Sequence, residues 1–317
     1  MNWLEPEVFA VKHKDEEVRA ASRSGGIFTA LSDEILARGG VVYGCVLTED
    51  FNAVHIRADR VETRNKMRGS KYIQSKLGDT FHSVKKDLED GQLVLFSGTA
   101  CQVTGLKCFL SKQYDNLVCV DIVCHGVPSK KVWHQYLAWQ ERRKRSKVQK
   151  VDFRNKKDFG WTAHIETLWM ENESIVSSEV FNNLFYGHTI LRPSCYECPY
   201  KSIHREGDIS IADYWHIEKA APEFADNKGT SLVMVNSDVG KKLFDSIQDH
   251  IVWKATKIED SMQQPLKAPF PRPKEREQFW KDFNKKSFGY IAKKYGGAGV
   301  ANKIKRRLRK IKRKLVG

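Results

Sequence analysis

The apolar positions along this chain switch between two periods. After Ser24, Ile27, Leu31 and Ile35 recur on one helical face, and Gly39-Gly40 close the pattern. Val41 to Leu47 then runs apolar without a polar face, as a strand buried on both sides does. A second helical stretch, about Asp79 to Glu89, ends at Gly91 and feeds the apolar run Leu93 to Phe96. Ser97-Gly98-Thr99 turns the chain into a helix over Ala100 to Leu110. Strand Leu117 to Val123 follows, then Cys124-His125-Gly126 and a helix from Ser129 to about Arg143. This alternation predicts an α/β fold with a mixed, largely parallel core sheet and flanking helices. From Val151 strands dominate (151–154, 163–170, 209–212, 231–235), which predicts an added strand-rich, antiparallel or mixed region.

Toward the C-terminus, four of the nine prolines fall between Pro265 and Pro273, a composition that favours an extended linker. Beyond it Ile304, Leu308, Ile311 and Leu315 form a helical stripe, while residues 303–314 hold nine cations and no acid. The expected organisation is an α/β region over 1–150, a strand-rich half over 151–262, a Pro-rich linker over 263–276 and a tail ending in a basic amphipathic helix over 277–317. The formal charge of +15 is thereby divided: nine charges sit in that short segment and six on the rest. Such a helix suits an anionic membrane surface, each cation contributing about 1 kcal/mol near acidic lipid; nucleic acid is the weaker match and a solvated helix the plain one. With 41% hydrophobic and 29% charged residues the chain reads as a folded, water-soluble protein. It has no apolar run long enough to span a bilayer, and Met1 to Ala10 has neither a cationic start nor an apolar h-region, so secretion is not expected. The expected location is cytoplasmic, peripheral on the inner membrane face.

Seven cysteines, an odd number, argue for intracellular thiols and metal ligands rather than a disulfide framework. Cys101 and Cys124 each follow a predicted parallel strand, at the carboxyl edge where open α/β sheets collect function. Cys195-Tyr196-Glu197-Cys198-Pro199 supplies a CxxC pair, whose spacing lets two sulfurs turn toward one metal group. With Cys101 and Cys124 it completes four ligands, for iron–sulfur or for zinc. A zinc site drawing on His188 or His204 competes, as does a thiol nucleophile at Cys101 with His125 as base. Cys45, Cys108 and Cys119 read as buried structural thiols. Ser24-Gly25-Gly26, before a helix, suits a phosphate or simply an N-cap. Arg68-Gly69-Ser70-Lys71-Tyr72 suits a phosphate or a flavin ring. Neither has dinucleotide-fold or P-loop spacing.

Read in order, SRSGGIFTAL (22–31), MRGSKYIQS (67–75), VLFSGTACQVTGL (94–106), NLVCVDIVCHGVPS (116–129), FRNKKDFGW (153–161), RPSCYECPY (192–200) and GDISIADYW (207–215) resemble the beta-subunit family of coenzyme F-420 hydrogenases and dehydrogenases, from about Phe9 to Phe244. The resemblance implies an iron–sulfur flavoprotein oxidoreductase relaying electrons between FAD and a 4Fe–4S cluster, with coenzyme F-420 as one substrate of the family and surface polysaccharide pathways as one setting. It implies Cys101, Cys124, Cys195 and Cys198 as cluster ligands. It also implies Ser24, Gly25, Gly26, Arg68, Gly69, Ser70, Lys71, Tyr72 and Gln74 as FAD contacts. Ser97, Thr99 and Gln102 are then positioned to hydrogen-bond cluster sulfur or flavin, and Asp213 to contact the site. Many relatives begin with a ferredoxin-like segment. Here no cysteine precedes Cys45, so a separate electron-donor protein such as a ferredoxin is expected. His216 stands where relatives have glycine and is expected to bring an imidazole near the pocket.

Overall fold

The computed structural model describes residues 5–299. The expected basic helix, and with it residues 303–317, lies outside the described residues. The chain folds into two compact units that are discontinuous in sequence. Of the described residues, the first comprises 5–126, 156–163 and 197–269; the second comprises 127–155, 164–196 and 270–299.

The first unit is built on a nine-stranded sheet: β1 (Glu7–His13), β2 (Val41–Leu47), β3 (Ala53–Ala58), β4 (Ser75–Lys76), β5 (Val94–Thr99), β6 (Leu117–Ile122) and, after the second unit's three strands, β10 (Ile209–Asp213), β11 (Ser231–Val235) and β12 (Ile251–Thr256). Their spatial order is β12-β1-β11-β10-β6-β5-β2-β3-β4. The middle four, β10, β6, β5 and β2, run parallel. β1, β11 and β12 pair antiparallel on one side, and β3 antiparallel to β2 on the other.

Helix α1 (Glu16–Ala21) and α2 (Ile27–Ala37) precede β2, α3 (Val61–Asn65) follows β3, and α4 (Thr80–Glu89) and α5 (Ala100–Leu110) flank β5. The strands alternate, as a pleat requires. Val42, Leu95, Val118 and Val120 face α2 and the helix Asp238–Ser246 through Ile27, Leu31, Ile35 and Phe244. Val41, Tyr43, Val94, Phe96 and Cys119 face α4 and α5 through Val84, Leu88, Val103 and Leu106. Burial on both faces explains the unbroken apolar runs in the sequence.

The second unit holds the antiparallel sheet β7 (Val148–Asp152), β8 (Glu166–Met170), β9 (Ile175–Ser178) and α6 (Lys130–Lys144), with helices Val180–Tyr186, Arg276–Lys285 and Phe288–Lys294. Its core is aromatic: Trp133 lies 4.6 Å from Phe153 and 4.8 Å from Phe181, between ring centroids. Beside it Glu166 is fully buried. Its carboxyl accepts from Tyr136 Oη and Phe181 N, both at 3.0 Å.

Desolvation raises the pKa of Glu166 from 4.5 to about 7. Between these values the folded chain keeps a proton that the unfolded chain has released, so stability falls as pH rises through that window. Up to about 3 kcal/mol is at stake. Denaturant unfolding from pH 4.5 to 7.5 should show this decline in the wild-type protein and its loss in Glu166→Gln; parallel curves for the two proteins would exclude it.

Candidate functional site

The carboxyl ends of β2, β5, β6 and β10 share one edge of the sheet, because these strands are parallel. The N-terminus of α2 lies at that edge too, since α2 reaches β2 through the short turn 38–40 and the two run in opposite directions.

Thr99 and Ile122 are register partners at the end of β5 and β6. Cys101 and Cys124 each lie two residues further on, just past the end of the ladder. Cys101 is exposed on the first turn of α5, and Cys124 is partly buried. The turn before Cys101 is closed by a capping box: Thr99 N donates to Gln102 Oε1 at 2.9 Å. Thr99 Oγ1 lies 3.1 Å from Cys101 Sγ, within hydrogen-bond reach.

Cys198 begins a loop fastened to the same edge. Arg205, within that loop, pairs with Asp121 of β6 through Nη2 at 2.7 Å and Nε at 3.2 Å. The two side chains are 2% and 0% exposed, which makes this a desolvated ion pair. Arg205 also donates to Ile122 O (3.0 Å) and Tyr200 O (2.8 Å), and Gly207 N donates to the second Asp121 oxygen (3.2 Å). Nearer the cysteine, buried Lys201 donates from Nζ to His125 O at 2.6 Å, one residue past Cys124. Cys195 belongs to the second unit, in the 3-10 turn Pro193–Glu197, where Val127 N donates to its sulfur at 3.3 Å. His188, in that unit, stacks on Phe270 with centroids 4.2 Å apart. His204 is exposed in the Cys198 loop.

At the α2 end, Gly25 is dictated by space. An added Cβ would stand 2.1 Å from Val11 O and 2.6 Å from Ser231 N. Gly25 O accepts from His13 N at 2.7 Å, and Gly25 N donates to Ser231 Oγ at 3.0 Å. The helix is capped by Gly26, at φ 95°, with no side-chain cap. Ser24 is therefore not the N-cap its type suggests: it is buried and donates to Thr230 O at 2.7 Å.

The other expected contact segment follows α3. Arg64 is buried and docks α3 on α2 by donating to Thr29 O (2.9 Å), Ser32 and Asp33. Met67 fills the space left by Gly44, its sulfur 2.7 Å from where a Cβ would be. Arg68 then projects with its Nε buried and unpaired among the described residues, within electrostatic reach of His13, Asp15 and Asp33. Burial lowers the pKa of this guanidinium. Gly69 and Gln74 are exposed, and Ser70, Lys71 and Tyr72 are half-buried.

Several residues here escape sequence reasoning. His55 of β3 lies beneath Ser97: its Nε2 is 3.1 Å from Ser97 O and its Nδ1 2.6 Å from Ser75 Oγ. Desolvation lowers its pKa to about 4, so the ring is neutral. The segment 156–163 brings Lys156 and Trp161 to the Ser24 end. Lys156 Nζ donates to Arg19 O (2.6 Å) and Lys228 O (3.0 Å), and burial takes its pKa to about 8. Trp161 stacks on Trp215, centroids 4.9 Å apart, and donates to Asp213 Oδ1 at 3.3 Å. Arg23 donates to Trp161 O and faces Asp213 Oδ2 at 4.0 Å. Asp213 thus closes β10 and faces Arg23, while His216 is an exposed residue beside Glu218. Two further readings change. Cys108 is exposed and Cys45 only partly buried, leaving Cys119 as the one fully buried thiol of the three.

Residues 91–261 match the family of coenzyme F420 hydrogenase/dehydrogenase described as the C terminus of the beta subunit. The chain belongs to this family. Membership makes it an oxidoreductase of the hydrogenase/dehydrogenase beta type. Among solved structures it is similar to a chain of the xenon-derivatised F420-reducing NiFe hydrogenase complex from Methanosarcina barkeri. The two are 18% identical, with a TM-score of 0.55 over 83% of this chain and 87% of the other. That likeness speaks for the fold. No curated protein matches.

The Val127 N–H at Cys195 Sγ fits a cluster thiolate, which accepts hydrogen bonds at sulfur. Among the described residues no three His, Cys, Asp or Glu side chains stand close enough to hold one metal ion. A cluster asks for wider spacing than a single zinc, since each thiolate takes its own iron. The orphaned Arg68 Nε fits an anionic cofactor group in the same way.

The bond between the Cys198 loop and β6 rests on Arg205. Arg205→Leu should destabilise the protein by about 3–5 kcal/mol, because Asp121 is left charged and dry. Asp121→Asn with Arg205→Leu should recover part of the loss in denaturant unfolding; equal losses in the single and double variants would deny the coupling.

Proposed function

We propose that this chain is an iron–sulfur flavoprotein oxidoreductase in which Cys101, Cys124, Cys195 and Cys198 hold a 4Fe–4S cluster and the Gly25-Gly26 and Arg68 elements hold FAD. The reading is carried by Cys101 and Cys124 each standing two residues beyond the Thr99–Ile122 pair that ends the β5–β6 ladder, with the Cys198 loop tied to His125 and β6 by Lys201 and Arg205. When bound, FAD exchanges electrons in pairs and the cluster passes them singly, so the two together convert one kind of traffic into the other.

The chain's own residues supply positions and charges. Gly25 lets the backbone before α2 lie against β11, so the uncapped helix end stays open to an anion. Arg68 brings a guanidinium with a donor to spare. Val127 N places a donor on Cys195, which favours the thiolate and tunes the potential of what it binds, and Thr99 Oγ1 lies 3.1 Å from Cys101 Sγ in a contact where either atom can donate. Exposure of Cys101 leaves a face at which a one-electron partner such as a ferredoxin can approach. Coenzyme F-420 is the proposed two-electron substrate class, on family grounds.

Purified anaerobically, the protein should be brown-yellow and carry about four irons and four acid-labile sulfides. Cys198→Ser should abolish the cluster absorbance. A colourless protein with one zinc overturns the reading. The basic segment 303–314 supports docking on anionic membrane: deleting 303–317 should release the protein from liposomes containing phosphatidylserine in a flotation assay, and unchanged binding would refute the membrane role.

A further inference from the structure

Lys71 lies in the segment assigned to FAD contact, yet its ammonium is already committed. Nζ donates to four successive main-chain carbonyls: Lys66 O (3.2 Å), Met67 O (2.7 Å), Arg68 O (2.9 Å) and Gly69 O (3.1 Å). An ammonium has three N–H donors. Four acceptors at these distances leave none for a ligand.

The carbonyls are those a helix leaves over at its end. α3 is prolonged by a further turn, with Met67 N donating to Arg64 O (2.9 Å) and Arg68 N to Asn65 O (3.2 Å). The oxygens that follow have no helical partner, and a cation is the group that such an end attracts. The turn is held at its start by Arg64 on α2 and by Met67 against Gly44. Lys71 closes it from the far side. Within the clasped stretch 66–71, the guanidinium of Arg68 carries the orphaned buried donor. Burial also draws the Lys71 pKa down to about 8, as expected for a cation solvated by carbonyls in place of water.

We propose that Lys71 is a positioning residue: its ammonium clasps the 66–69 carbonyls and so presents Arg68, which alone of the two binds the cofactor's anionic group. The inference rests on the flavin reading for its ligand, and on the turn geometry alone for the clasp. It revises the contact role that family resemblance implies for Lys71.

The two roles separate under salt and hydrogen exchange, using the full chain, FAD as probe and the variants Arg68→Met, Lys71→Met and Lys71→Gln. Arg68→Met should weaken FAD binding about tenfold, flatten its dependence on NaCl, and leave amide exchange over 66–71 unchanged. Lys71→Met should weaken binding comparably, keep the NaCl dependence, and speed exchange over 66–71. Lys71→Gln, which retains two N–H donors, should fall between wild type and Lys71→Met in exchange, and serves if Lys71→Met does not fold. Flattened salt dependence with unchanged exchange in the Lys71 variants would make Lys71 a ligand contact and overturn the proposal. Unchanged exchange and unchanged binding would overturn it as well. A wild-type protein that binds no FAD would fail the flavin reading, and the exchange comparison would then decide the clasp on its own.

Discussion

Asp121 and Arg205 carry opposite charges with almost no access to water, at the centre of the first unit. Each charge would be costly alone, and the pair is tolerable only because every side is occupied by a donor or acceptor. Asp121 takes two N–H groups of Arg205 and the Gly207 amide; Arg205 also satisfies two main-chain carbonyls. The consequence is positional. A loop that begins at a CxxC motif is tied to the strand that leads to Cys124, and the tie breaks only by stranding a charge. The strength of the pair as a net stabiliser matters less than this all-or-none geometry.

The opposite end of the edge is organised by steric exclusion instead. The absence of a Cβ at Gly25 lets the backbone reach β1 and β11 at once, and its absence at Gly44 gives Met67 a seat. These are close approaches of backbone and side chain, where one methyl group would displace a segment. Charge then works on the surface they define. Arg64 is spent on α2, Lys71 on its own turn and Lys156 on main-chain carbonyls, so three cations of this unit act as internal fasteners. Arg64 and Arg68 each keep a buried Nε without a partner among the described residues, but Arg68 differs in that its guanidinium fastens no carbonyl or carboxylate there.

How much of this is legible in the sequence follows from where each signal lives. β2, β11 and α5 fall at their predicted bounds, because burial on both faces or a clean helical period is a local property. β3 reads Ala-Val-His-Ile-Arg-Ala and β12 is an edge strand with exposed Val252 and Trp253, so neither has the apolar run that announces a buried strand. Cys108 reads as inward by its residue type, yet it lies about 200° around the helix from both Leu106 and Leu110, which do point inward. The cysteines are visible by type and spacing. The Asp121–Arg205 tie, the return of Lys156 and the double duty of His55 are not, since they join residues 20 to 137 positions apart by contacts that leave no periodic trace.

His55 connects the two regimes. Its Nε2 faces a carbonyl, which can only accept, so Nε2 carries the proton and Nδ1 takes the hydrogen of Ser75. The ring lies against Phe96, with centroids 5.6 Å apart, and its desolvation holds the pKa near 4. At any pH from 5 to 8 the imidazole is therefore neutral and in one tautomer. A protonated ring would place a second donor against Ser75, which has its own oxygen to offer, but would lack the hydration a buried cation needs. Held neutral, the ring is a strut of fixed polarity between the strand just after the Arg68 loop and the turn that leads to Cys101. One hydrogen-bonded ring thus joins the strand that follows the Arg68 loop to the turn before Cys101, and it does so without a charge.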